Sequence, residues 1–231
     1  MRYRPNLPLS LRDLSFVVEP GEHVGICGRT GAGKSSLILA LFRLVEASEG
    51  RIWLDKYDIS KLSLRDLRRC ISIIPQDPTL FQASLRFNLD PTSECSDDEL
   101  VSAMRRVSLS AKLDQLGGLD GNCVEGSFSA GEKQLVCFAR ALLRKSTRIV
   151  LLDEISANCD SETDSIIQKL VSEEFRDRTV MVIAHRLASI MNCDKILVLS
   201  EGRLEQFGSP SELLSKTKGE FYSMAKEVGL A

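Results

Sequence analysis

The chain has 231 residues, of which 43% are hydrophobic and 27% charged, a balance typical of one large globular domain or of one domain with an inserted lobe. The net charge of −2 argues against a dedicated nucleic-acid binder, which usually carries a strongly basic face. No apolar run approaches the roughly 18 residues of a membrane helix, and the polar residues 1–10 predict no signal peptide. Seven scattered cysteines without a CxxC pair favour neither a zinc site nor a secreted disulfide framework.

Short runs rich in Val and Ile predict strands that are covered on both faces, because they lack polar alternation. These runs are residues 23–28, 71–76, 149–154, 179–185 and 195–200. Helical patterns lie between them at residues 34–45, 161–174 and 187–191. Strands that alternate with helices predict an α/β fold with a mostly parallel sheet.

Residues 83–145 differ from the rest because they are helical and polar and contain no strand-like run. Residues 97–106 begin acidic and end basic, as the helix dipole favours, and the glycine-rich residues 117–129 predict a loop. We interpret this stretch as a helical lobe inserted in an α/β core of about residues 1–82 and 146–231. Residues 209–228 predict helices packed on the outside.

The strongest local motif is a phosphate-binding loop of the form G-x-x-x-x-G-K-[ST], which reads Gly28-Arg29-Thr30-Gly31-Ala32-Gly33-Lys34-Ser35. Its glycines allow backbone N–H groups to turn inward around phosphate oxygens. Lys34 would reach the outer phosphates, and the Ser35 hydroxyl would help to hold Mg²⁺. An apolar strand before the loop and a helix after it place a helix N-terminus at the anion.

Two carboxylates follow the apolar run 149–152, namely Asp153 and Glu154. At the carboxyl end of a parallel strand they would point into the crevice where ligands bind. Asp153 would hold Mg²⁺ directly or through water, and Glu154 would orient or deprotonate the attacking water. By themselves two such acids more often begin a helix, but the upstream phosphate loop favours an ATP-hydrolysing site.

Two further side chains end apolar runs and are expected at the same sheet edge. His185 would sense or position the γ-phosphate, although a lone histidine is usually structural. Gln76 would reach the metal or the attacking water, although glutamines after strands are common.

Another candidate segment, Phe128-Ser129-Ala130-Gly131-Glu132-Lys133-Gln134, contains a capping box of Ser129 and Glu132. A helix start is also an anion site, so the structural and the functional interpretations are compatible.

In this order the motifs resemble the nucleotide-binding domain of ATP-binding cassette (ABC) transporters, over nearly the whole chain, with a P-loop NTPase core and an antiparallel β edge. The resemblance implies a Q-loop at Gln76, a signature at residues 129–132, a D-loop at residues 157–160 and a switch histidine at His185. Tyr3 is similar to the aromatic residue that stacks on adenine. The nucleotide contacts implied are Tyr3, Gly28, Arg29, Thr30, Gly31, Ala32, Gly33, Lys34, Ser35, Ser36, Ser129 and Gly131.

Residues 3–5, 28–36, 75–81 and 88–91 resemble more closely the second cassette of subfamily C, the multidrug-resistance-associated and sulfonylurea-receptor group. In that group the first cassette often lacks the catalytic glutamate, and Glu154 fits the second. The resemblance implies a piece of a longer integral membrane protein, at the cytosolic face of a membrane and not itself inserted. Its implied partners are ATP with Mg²⁺, a second cassette in a head-to-tail dimer and transmembrane domains, but no nucleic acid.

The signature departs from the usual Leu-Ser-Gly-Gly-Gln, because Phe128, Ala130 and Glu132 replace the Leu, the first Gly and the Gln. A carboxylate near a triphosphate would repel it, unless Glu132 folds back into its capping box. The D-loop departs as well, with Asn158 and Cys159.

Three other functions stay open beside a transport ATPase. A regulatory cassette would sense nucleotide and gate a channel with little turnover. A soluble cassette ATPase of DNA repair or translation usually carries coiled-coil or zinc insertions or a tandem cassette, which this sequence lacks. A small-molecule phosphotransferase also uses a phosphate loop, but the signature segment argues against it.

Overall fold

The computed structural model describes residues 1–154, 161–184 and 186–230, apart from the side chains of residues 161 and 162. Two compact units divide the chain, one formed by Met1–Ile71 with Arg178–Ala231 and the other by Ser72–Asp177. Most of the strands lie in the first unit, whereas the second unit is mainly helical.

The described strands are β1 (His23–Cys27), β2 (Trp53–Leu54), β3 (Tyr57–Asp58), β4 (Ile71–Ile74), β5 (Ile149–Asp153), β6 (Thr179–Ile183), β7 (Lys195–Ser200) and β8 (Arg203–Gly208). The described α-helices are α1 (Lys34–Leu41), α2 (Leu64–Cys70), α3 (Leu85–Leu89), α4 (Asp97–Arg106), α5 (Ser110–Gln115), α6 (Ala130–Leu143), α7 (Ser161–Glu174), α8 (Pro210–Ser215) and α9 (Glu220–Glu227). Short 3₁₀ turns occupy Ile59–Lys61 and Leu187–Ile190.

In the first unit β1 lies between two parallel neighbours, β6 and β7, and β8 adds an antiparallel edge to β7. Val24 is paired with Met181, and Gly25 with Ile196. Strands β2 and β3 form a separate antiparallel pair. The predicted α/β fold with a mostly parallel sheet and an antiparallel edge is therefore confirmed.

The core of the first unit explains why apolar and polar residues do not alternate along its strands. Val24, Ile26, Ile196 and Val198 on the central strands are almost fully buried. Leu213 of α8 with Phe221 and Ala225 of α9 close one side of this core. Strands covered in this way carry apolar residues at successive positions because both faces leave water.

The second unit is built around α6, which packs with α3, α4 and α7. Phe138 of α6 stacks on Phe175 just after α7, with ring centroids 5.9 Å apart, and both are fully buried. Strands β4 and β5 are neighbours in the sheet order. No helix in the described parts of the chain is long and apolar enough to cross a bilayer.

Some predicted boundaries were wrong. The helix predicted at residues 34–45 ends at Leu41, because Arg43 takes a left-handed conformation with a φ of 48°. The guanidinium of Arg43 is held there by the carbonyls of Ile59 and Leu62, at 2.9 and 2.8 Å. The helix predicted at residues 187–191 is a 3₁₀ turn, and the short elements β2, β3, β8, α2, α3 and α5 were not predicted individually.

Candidate functional site

The phosphate-loop motif lies between β1 and α1, as predicted. Gly28 has a φ of 150°, and a Cβ there would lie 2.2 Å from the carbonyl oxygen of Leu199. Gly33 is the N-cap of α1 with a φ of 108°, and no side chain caps this helix start. Glycine is required at both positions. The first N–H groups of α1 donate to no capping side chain.

Lys34 is buried, with only 7% of its surface exposed. Its ammonium donates to the carbonyl of Gly28 at 2.7 Å and to that of Arg29 at 3.4 Å. A buried ammonium and the positive end of α1 therefore lie at the same loop, which suits an anion with several oxygens.

Tyr3 is brought to the start of α1 by the N-terminal segment. Its hydroxyl lies 2.8 Å from the Oγ of Ser36, which is buried, while the tyrosine residue is 46% exposed. The terminal ammonium of Met1 donates to the carbonyl of Leu11 at 2.9 Å, and this turn of chain lies against Gly33. The structure thus unites Tyr3, Gly28, Lys34 and Ser36 and leaves one aromatic ring accessible beside the loop.

The remaining loop positions divide by exposure. Arg29, Thr30, Gly31 and Ser35 are exposed, whereas Ala32 is buried and its carbonyl accepts from the N–H of Gly202 at 2.9 Å. Arg29 lies 3.5 Å from Glu227 and 3.9 Å from Glu220, both in α9. These two acidic neighbours of the loop were not predicted, since nothing local in the sequence links residues so far apart.

In the second unit the two predicted carboxylates lie at the end of β5, after its buried apolar residues. Val150, Leu151 and Leu152 of β5 are almost inaccessible, and both Asp153 and Glu154 are half-buried. Glu154 has a φ of 51°, in the left-handed region that residues with a Cβ rarely adopt. Gln76, also half-buried, follows β4 by two residues.

The signature segment begins α6, with Ser129 as its N-cap. The carboxylate of Glu132 accepts from the N–H of Ser129 at 2.7 Å, and the hydroxyl of Ser129 accepts from the N–H of Glu132 at 3.1 Å. The capping box is therefore present, and Glu132 folds back as the structural interpretation requires. The residue at position 130 is helical, so it needs no positive φ and Ala130 is accommodated.

Two features of the signature come only from tertiary packing. Gly131 is buried, and a Cβ there would lie 2.9 Å from the Oγ1 of Thr163 in α7. Lys112 of α5 places its ammonium 3.1 Å from the Oε1 of Glu132. Sequence spacing does not point to either neighbour.

Two predicted features lie outside the described residues, namely His185 and the D-loop at residues 157–160. For a metal, the predicted donors are a hydroxyl at Ser35, a carboxylate at Asp153 and an amide oxygen at Gln76. Such oxygen donors fit Mg²⁺, which is usually bound through one or two carboxylates and completes its shell with water and phosphate oxygens. The described residues contain no group of three His, Cys, Asp or Glu that could hold a metal ion.

Comparison with known proteins identifies the family to which the chain is similar. A family model described as ABC transporter matches residues 11–157. The chain is 50% identical over 234 residues to ATP-binding cassette sub-family C member 3 of Rattus norvegicus, covering 100% of this chain and 15% of that protein. It is 47% identical over 233 residues to ATP-binding cassette transporter abc2 of Schizosaccharomyces pombe, covering 100% of this chain and 16% of that protein. The chain thus spans about a sixth of the length of these relatives.

Among solved structures, the chain is similar to a bacterial Atm1-family ABC exporter with ATP bound. The TM-score is 0.89 at 34% identity, and the match covers 98% of this chain and 40% of that one. The similarity in fold therefore covers nearly the whole chain.

Proposed function

The chain belongs to the ABC transporter family as an ATP-binding, ATP-hydrolysing cassette with a P-loop NTPase-like fold, and we propose that it powers transport as part of a longer membrane protein. The observation that carries this proposal is the loop between β1 and α1. There the buried ammonium of Lys34 lies within hydrogen-bonding distance of the loop carbonyls at a glycine-capped helix start. A positively charged, glycine-rich loop at a helix N-terminus suits the phosphate groups of a nucleotide.

In this proposal nucleotide binding uses the first unit. The exposed ring of Tyr3 stacks on adenine, and its hydroxyl bond to Ser36 keeps the ring beside the loop. The backbone N–H groups of residues 28–36 surround the phosphates, with Arg29, Thr30, Gly31 and Ala32 forming the turn. When the nucleotide binds, the ammonium of Lys34 gives up its hydrogen bonds to the loop carbonyls and donates to oxygens of the β- and γ-phosphates.

Hydrolysis is the attack of water on the γ-phosphorus, which gives ADP and phosphate. Glu154 accepts the proton of the water, and His185 contacts the γ-phosphate. Ser35, Asp153 and Gln76 would hold Mg²⁺, which when bound offsets the charge on the phosphate oxygens. Most of the catalysis is then positioning and electrostatic stabilisation, because phosphoryl transfer needs little covalent help from the protein.

A second cassette completes the site in a head-to-tail dimer. Ser129 and Gly131 of one cassette serve the nucleotide of the other, and the exposed Ser129 at the start of α6 supports this role. The partner of this chain is thus another ABC cassette or a second copy of itself. No nucleic acid is needed in this cycle.

Residues of the second unit supply a surface for transmembrane domains. Phe81 and Phe87 are 60% and 45% exposed and lie edge to face with ring centroids 5.9 Å apart. The side chain of Asn88 binds the N–H and the carbonyl of Phe81 at 2.8 and 3.0 Å, so this aromatic pair is held in place although water reaches it. Exposed and ordered aromatic residues favour a protein partner. The helical subdomain of about residues 83–145 then contacts membrane-spanning helices from the cytosolic face of the membrane.

The second candidate is a regulatory cassette that senses nucleotide and gates a channel with little turnover. Both candidates share the binding loop, so turnover separates them. The test measures the dissociation constant of MgATP with a fluorescent analogue and the steady-state release of phosphate, over a wide range of chain concentration.

We expect ATP binding at all concentrations, slow hydrolysis by the dilute chain and a rise in turnover per chain with concentration or with a partner cassette. Glu154→Gln should bind ATP as before but lose most hydrolysis, whereas Glu201→Gln, a change at an exposed turn, should leave both binding and hydrolysis unchanged. Turnover that is independent of concentration would rule out the composite site. Tight binding without turnover at any concentration would favour the regulatory cassette.

A further inference from the structure

Lys112, in α5, contacts the segment that leads into the signature at three points. Its ammonium donates to the carbonyl of Ser127 at 2.9 Å and lies 5.4 Å from the ring centroid of Phe128. The same ammonium lies 3.1 Å from the Oε1 of Glu132. Because 18% of the lysine side chain and 30% of the glutamate side chain are exposed, this pair is partly desolvated and is screened less than a surface pair.

Both carboxylate oxygens of Glu132 are engaged, one by the N–H of Ser129 and the other by Lys112. The carboxylate therefore takes up part of the positive potential of the α6 N-terminus. An incoming phosphate needs that same potential. Where the family usually has a neutral glutamine, this chain has to offset one additional negative charge.

We propose that Lys112 is a positioning residue for the signature, because it neutralises Glu132 and holds the chain at Ser127, so that the start of α6 can accept a phosphate from a neighbouring cassette. This inference rests on the proposed composite ATP site. It explains how the departure at position 132 is compatible with a working signature.

The same unit contains a matched control. At the start of α4, Ser96 and Glu99 form a second capping box, and the ammonium of Lys145 lies 2.5 Å from the Oε1 of Glu99. The chemistry is alike, but that helix start has no place in the proposed site. Substitutions there report what such a pair contributes to folding alone.

The experiment measures MgATP-dependent self-association by sedimentation equilibrium at low salt, in a Glu154→Gln background that preserves bound ATP. Lys112→Met keeps most of the apolar stem and should weaken association about tenfold, which corresponds to about 1.4 kcal/mol. Glu132→Gln keeps the capping box and should tighten association several-fold. The double variant should return close to the unsubstituted affinity, and so should Lys112→Arg.

The coupling between the two positions is the decisive result: Glu132→Gln should tighten association more in the Lys112→Met background than in the chain that keeps Lys112, whereas a lysine that only braces the fold would give additive effects. That outcome, or an unchanged constant in Lys112→Met, would overturn the inference. Lys145→Met and Glu99→Gln, at a pair whose lysine side chain is 81% exposed, should lower the melting temperature less than their counterparts and leave association unchanged. If they weaken association equally, the effect is a folding effect and the inference fails. If the unsubstituted chain binds ATP but does not associate, the composite site of the proposed function fails, and this inference with it.

Discussion

Glu154 has a left-handed backbone at the end of β5, with a φ of 51°, and two substitutions there should separate stability from catalysis. A residue with a Cβ loses roughly 1–2 kcal/mol in this conformation. Glycine escapes that cost but loses roughly 0.5–1 kcal/mol more chain entropy on folding. Glu154→Gly should therefore be about 1 kcal/mol more stable than Glu154→Gln, which removes the same charge and keeps the Cβ.

For a chain of this size 1 kcal/mol corresponds to a rise of about 2–4 °C in melting temperature. Thermal unfolding without nucleotide, followed by circular dichroism, measures the difference between the two variants, and phosphate release measures their activity. Both variants should have lost hydrolysis, since neither can accept a proton from water.

A matched pair of variants at Glu201 provides the control. Glu201 has a φ of 46° in the exposed turn between β7 and β8 and is not itself a predicted site residue, although the N–H of the adjoining Gly202 donates to the carbonyl of Ala32. Glu201→Gly should exceed Glu201→Gln in stability by a similar amount, with hydrolysis unchanged. If glycine stabilises position 201 but not position 154, the idea that strain is stored in the backbone of Glu154 is wrong.

Two further outcomes follow from buried groups. Gly131→Ala should cost about 1 kcal/mol of unfolding free energy, because crowding Thr163 costs about 1–3 kcal/mol and outweighs the gain in helix propensity of up to about 1 kcal/mol. Chemical denaturation of Gly131→Ala, Thr163→Ala and the double variant should show favourable coupling, and strict additivity would contradict the contact. Burial raises the pKa of the Cys27 and Cys193 thiols to about 12 from an ordinary 9.0. Between pH 9 and 12 the unfolded chain therefore releases protons that the folded chain keeps, and the unfolding free energy should fall by about 1.4 kcal/mol per pH unit for each thiol. Cys193→Ala should make that slope shallower, and an unchanged slope would argue against the effect.

The apolar strands and helix α7 could be predicted because their signal is local. Residues 161–174 and 195–200 form α7 and β7 with the predicted bounds. Short elements could not be predicted in this way. β2 and β3 have two residues each and α3 has five, so none shows a full period of its pattern.

For the candidate site, the motif residues and their order were recognised from sequence, as were the strand before the phosphate loop and the helix after it. The roles of those residues remain predictions. The capping box at Ser129 and Glu132 could be predicted as well, because its hydrogen bonds join residues three positions apart.

The amino-acid sequence by itself determined which residues form the loop, the buried strands and the helix starts, since these depend on neighbours within a few positions. Only the tertiary structure decided what surrounds them. Tyr3 contacts Ser36, which is 33 positions away in the sequence, and Lys112 contacts Ser127, which is 15 positions away. No local sequence pattern predicts contacts between residues so far apart. The left-handed backbone of Glu154 was decided in the same way, because a strained conformation persists only where the surrounding packing imposes it.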